Sequence, residues 1–110
     1  MKRLAPEFYP YARALLNVAD HYGIPYTITS TRRSMSEQRR LYERRQRGQH
    51  PLPVARPGCS QHNYGYAFDM VVRDPQDLQF LAAVWRDWGG YWGGAKDPVH
   101  FGHPWFPNCR

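Results

Sequence analysis

A carboxylate sits inside a run that otherwise reads as a buried strand. Residues Tyr66-Ala67-Phe68-Asp69-Met70-Val71-Val72 are aromatic and β-branched, which favours extended, buried backbone. Asp69 interrupts that pattern, and an unpaired carboxylate is costly to bury. Any fold for this chain must bring an arginine, several hydrogen-bond donors or a metal ion to Asp69. A metal is the option with the most chemical consequence.

Two histidines make that option concrete. His62 precedes Asp69 by seven residues, and Gly65 between them supplies a point where the chain can turn and bring the imidazole back toward the strand. His100 comes late in the chain, where Val99 to Phe101 predicts a short strand beside that of Asp69. His103, three residues further on, is a competing ligand. Two imidazoles and one carboxylate form a three-ligand set, which leaves a zinc ion one open position and so marks a catalytic site more than a structural one. Asp97 stands three residues before His100, near enough to serve as general base toward water at such a site.

The rest of the chain predicts a small α+β domain. Phe8, Tyr11, Ala12, Leu15, Val18, Ala19 and Tyr22 recur at helical spacing, and Gly23 and Pro25 end that helix. Tyr26 to Ser30 reads as a strand. Ser34 and Glu37 fit a capping box at the start of a second helix running to about Arg47, with Gly48 as its stop. Asp74-Pro75 opens a third helix whose apolar stripe is Leu78, Leu81, Ala82, Trp85 and Trp88. With 110 residues there is room for one core, so residues 1–110 are expected to form a single domain: a short antiparallel sheet flanked by about three helices, with the zinc site at the sheet edge.

The net charge of +6 favours anionic partners without choosing among them. Arg39, Arg40, Arg44, Arg45 and Arg47 crowd the second helix; a solvated face is expected there, and no nucleic-acid partner. No apolar run is long enough to span a bilayer, and no apolar segment follows the basic N-terminal residues, so neither membrane insertion nor a signal peptide is expected. Cys59 and Cys109 allow either two free thiols or one disulfide pinning the C-terminal tail.

Ser60-Gln61-His62-Asn63-Tyr64-Gly65-Tyr66-Ala67-Phe68-Asp69 resembles the S-x-H-x-x-G-x-A-x-D signature of the D-alanyl-D-alanine carboxypeptidase and L-alanyl-D-glutamate endopeptidase superfamily. Asp97-Pro98-Val99-His100-Phe101 is similar to its second motif, and "ITSTRRS" with "SEQRRLY" is similar to its "ITSGYRS" strand and "EQxxLY" helix. The resemblance implies His62, Asp69 and His100 as zinc ligands and Asp97 as general base. Arg33 then becomes the cation that meets a substrate carboxylate or carbonyl, with Arg32 as the competing register, and Ser60 supports the site without touching metal. The run Gly93 to Lys96 is shorter than the family's usual connection, and Asp stands where several members have Glu.

The expected function is zinc-dependent hydrolysis of peptidoglycan stem peptides, with the L-alanyl-D-glutamate endopeptidase preferred. A D-alanyl-D-alanine carboxypeptidase and a non-catalytic, zinc-containing wall-binding module are the alternatives. The expected setting is that of a phage or prophage lysin, a monomer made in the cytoplasm and acting on the cell wall.

Overall fold

The computed structural model describes residue 1, residues 3–106 and residue 109. Helix α1 spans Tyr9–His21 and buries Ala12, Leu15, Leu16 and Ala19. It is narrower in its apolar contact than the sequence suggests, since Tyr11 and Tyr22 at the margins of the stripe are exposed. Gly23, in the left-handed region at φ 66°, ends it, and Ile24 N–H returns to the Ala19 carbonyl. Strand β1 follows at Thr27–Ser30 and helix α2 at Met35–Gln46, the latter opened by the expected capping box between Ser34 and Glu37. Strand β2 is Ala67–Val71, and helix α3 is Pro75–Asp87, capped by the Asp74 carboxylate accepting from the backbone N–H groups of Gln76 and Asp77. Strands β3 (Tyr91–Trp92) and β4 (His100–Gly102) complete the order.

The four strands form one antiparallel sheet in the order β1-β2-β4-β3. Register follows the pleat. Phe68 lies opposite Phe101, and these two rings stack at 5.5 Å on the face that meets Trp85 and Phe8. Alternation then sends the next pair, Asp69 opposite His100, to the other face. One face of β2 and β4 is thus committed to an aromatic core with α1 and α3, and the other is free for chemistry. The Trp85 indole N–H donates to the carbonyls of Tyr91 and Gly102, tying α3 to the short strands.

Helix α2 behaves differently from the other two. It buries only Gln38 fully, and its four arginines, with Arg47 at its C-cap, are exposed. Leu41 and Tyr42 are half-buried. Cys59 and Cys109 are joined as a disulfide, which resolves the choice the sequence left open. No helix among the described residues is long and apolar enough to cross a membrane.

Candidate metal centre and cleft

The site begins with a turn. Residues Gln61–Tyr64 form a single turn of 3-10 helix, N-capped by the Ser60 hydroxyl, which accepts from His62 N–H, and closed by Gly65 in the left-handed region at φ 77°. A side chain at Gly65 would lie 2.6 Å from the backbone nitrogen of Ala5, whose N–H donates to the Gly65 carbonyl. Glycine is therefore required twice, for the backbone angle and for the close approach of the N-terminal segment. The turn delivers His62 to the open face of the sheet, and the Arg33 N–H donates to the His62 carbonyl to hold it there.

Three ligand atoms converge at that point. His62, Asp69 and His100 each offer one atom, and these atoms lie within 4.8 Å of one another. His62 Nε2 is 3.0 Å from Asp69 Oδ1, and His100 Nδ1 is 3.8 Å from the same oxygen. Tetrahedral ligands at zinc distances of about 2.0–2.1 Å are separated by roughly 3.3 Å, between the 3.0 Å and 3.8 Å found here, so small side-chain adjustments would bring the set onto that ion. The remaining atoms of the three side chains are committed elsewhere. His62 Nδ1 lies 2.7 Å from the Thr31 carbonyl, an acceptor only, so this nitrogen carries the N–H and Nε2 keeps its lone pair for the site. His100 Nε2 faces Gln61 Oε1 at 2.7 Å, which leaves Nδ1 facing the site. Asp69 Oδ2 meets Arg33 Nη2 at 3.4 Å, and only Oδ1 is directed at the imidazoles. With Nε2 unprotonated, lone pairs so placed repel unless a cation lies between them; without a metal, a proton on Nε2 relieves the contact by donating to Asp69 Oδ1. The donor set, two nitrogens and one oxygen, suits zinc.

The electrostatics divide the two carboxylates. Burial alone would raise the Asp69 pKa, but the hydrogen bond to His62 and the charges of His62, His100 and Arg33 together hold it below its ordinary value. Asp97 moves the other way: burial first, and then the negative charge of Asp69, raise it. Burial, followed by the proximity of His62, pushes His100 down to about 4. Asp97 and Arg33 line the same cleft as the triad, a cavity of about 620 Å³ bounded also by His50 and Trp105. Arg33 is anchored by Nη1 donating to Gln38 Oε1 at 2.8 Å and Nη2 to Ser30 Oγ at 3.1 Å. Arg32 instead donates to the Tyr64 carbonyl.

The description "VanY: D-alanyl-D-alanine carboxypeptidase" belongs to a family model that matches residues 1–88. The chain belongs to the VanY family. Peptidases of this family act on cell-wall peptides and depend on zinc, and the chain is an enzyme of that class. The match includes the run from Ser60 to Asp69 but stops short of Asp97 and His100, which the fold brings to the first motif. No curated protein matches the sequence.

Solved structures share the fold. A mutant of the vancomycin-resistance D,D-pentapeptidase VanY from a VanB-type cassette, in complex with Zn(II), superimposes with a TM-score of 0.69 at 18% identity, covering 94% of this chain and 76% of that one. The LD-carboxypeptidase LdcB gives 0.71 at 23% identity, over 91% of this chain and 65% of that one. The Serratia marcescens L-Ala D-Glu endopeptidase ChiX gives 0.62 at 23%, over 91% and 80%.

Set against the sequence reading, the structure gathers His62, Asp69, His100, Asp97 and Arg33 into one cleft. Their position is more central than expected: Asp69 and His100 sit on the two inner strands, β2 and β4, rather than at the sheet edge. His103 is turned to a structural task, its Nδ1 accepting from the N–H groups of Trp105 and Phe106. Four residues with contacts at the site carried no sequence signal of their own: Thr31, Gln38, His50 and Gln61. Gln61 lies inside the first motif, but at a position the motif leaves free.

Proposed function

We propose that His62 Nε2, Asp69 Oδ1 and His100 Nδ1 hold a zinc ion, and that the enzyme is a carboxypeptidase releasing the terminal D-alanine of peptidoglycan stem peptides. The observation that carries the reading is the convergence of three otherwise committed side chains on one point beside Asp97. Zinc supplies Lewis acidity, which acidifies water and polarises a carbonyl oxygen. Asp97, whose pKa burial and the Asp69 charge raise, takes the proton from the attacking water and passes it to the leaving amine. Arg33 provides a fixed positive charge in the cleft for the substrate's terminal carboxylate or the developing oxyanion. Membership of the VanY family supports the carboxypeptidase over other bonds.

The second reading is the L-alanyl-D-glutamate endopeptidase. A cleft of about 620 Å³ has room for several residues, more than a single departing D-alanine needs, and so leaves space for peptide on both sides of the scissile bond. Zinc-loaded protein incubated with a defined stem pentapeptide, with products identified by mass spectrometry, separates the two. Free D-alanine and a tetrapeptide are expected; scission after L-alanine would transfer the assignment to the endopeptidase. Zinc-loaded protein that cuts no stem peptide would overturn both and leave a wall-binding module.

A further inference from the structure

Gln61 connects the metal centre to the C-terminal segment. Its side-chain nitrogen donates to the carbonyl of His103 and, at 2.7 Å, to that of Phe106. Carbonyls only accept, so the amide nitrogen must face them and the amide oxygen must face His100. His100 Nε2, 2.7 Å from that oxygen, must then be the protonated nitrogen, and the lone pair of Nδ1 is left for the site. The arrangement is closely fitted: a methyl group at Gly102 would collide with the Gln61 amide and with His100 Nε2. The segment that orients the amide is itself secured, with Phe106 against the rings of Tyr64 and Tyr66 and Cys109 bonded to Cys59, two residues before Gln61.

We propose that Gln61 is a positioning residue that holds His100 in its metal-facing tautomer, and that the disulfide-tied C-terminal segment in turn sets the orientation of Gln61. The inference rests on the ligand set proposed above. It gives the C-terminal segment a task in zinc affinity, through a contact that neither motif contains. Thr31 serves His62 in the same way but through backbone, which no side-chain substitution can remove; Gln61 is the replaceable half of the pair.

Zinc affinity, measured by competition with a chromophoric chelator, tests this without reference to turnover. Gln61→Leu, which can neither accept from His100 nor donate to the tail, should weaken zinc binding by about 10–100-fold. Gln61→Glu keeps an acceptor for His100 but loses both donations to the tail, and should weaken zinc binding less than Gln61→Leu does. The Cys59→Ser/Cys109→Ser chain should lose a smaller factor in the parent background and nothing further in the Gln61→Leu background, because the tail acts through Gln61. Melting of each chain in EDTA separates a general loss of fold from a loss of metal affinity. Equal affinity in Gln61→Leu and the parent, or equal weakening in Gln61→Leu and Gln61→Glu, would overturn the proposal while leaving the ligand set intact. A parent chain that binds no zinc would instead overturn the ligand set.

Discussion

Asp69 and Asp97 share one cleft and are driven in opposite directions, Asp69 toward the ionised form and Asp97 toward the protonated one. Environments that push two carboxylates apart fit the separate roles proposed for them, ligand and base. Asp97→Asn should therefore retain zinc while kcat falls by about a hundred- to ten-thousand-fold, measured with metal content on the same sample; a loss of only a few-fold would move the base elsewhere. The same substitution has an opposite effect on the metal-free fold. With its pKa raised, the folded chain binds the Asp97 proton more tightly than the unfolded chain does, which favours folding at acid pH and is lost as pH rises through the raised pKa. Metal-free Asp97→Asn should thus melt no lower than the parent at neutral pH. Arg33 would have two duties, because the guanidinium proposed to meet substrate also meets Asp69 Oδ2. Arg33→Ala is expected to lower kcat/KM about 100-fold or more and, unlike a residue that touches substrate alone, to weaken zinc by roughly 10-fold. Unchanged zinc affinity in a competition assay would return Arg33 to substrate alone.

At the scale of elements, the turn of Gln61–Tyr64 does the most to build the site. Its cap, its imidazole and its closing glycine are Ser60, His62 and Gly65, the fixed positions of the S-x-H-x-x-G pattern, and each has a separate physical reason to be what it is. Gly65→Ala meets both the positive φ and the Ala5 backbone, so a loss of about 2 kcal/mol or more is expected in urea unfolding of the metal-free chain. A loss below a few tenths would mean that the N-terminal segment yields easily. The helices were legible because each carries local signals: the capping box of α2, Asp74-Pro75 before α3, Gly23 after α1. Strand β3 was not, since two residues are too few for a period of two to show and its pairing with β4 alone defines it.

For the molecule as a whole, acid should act on the metal-free protein through His100. Its folded pKa is depressed from 6.5 to about 4, so between these values the unfolded chain binds more protons and stability falls as pH falls. Asp97 opposes this, so the fall should be steeper in Asp97→Asn. Zinc-loaded protein should resist until protons displace the metal. Thermal melting in EDTA from pH 7 to 4 checks both, and a flat profile in Asp97→Asn would mean that His100 is solvated.

The sequence alone determined what depends on neighbours along the chain: three helices, an apolar strand with one misplaced carboxylate, and a set of spacings that named His62, Asp69, Asp97 and His100, to which the family resemblance added Arg33. Periodicity, capping and motif spacing are local, and survive without knowledge of the fold. Convergence does not. Which nitrogen of each imidazole faces the site depends on the Thr31 carbonyl, 31 residues from His62, and on Gln61, 39 residues from His100. The pairing of Cys59 with Cys109, across 50 residues, and the division of the two Asp69 oxygens between histidine and arginine have the same character. Only the tertiary structure decided them, because a hydrogen bond or a disulfide between distant segments leaves no pattern in the residues that lie between.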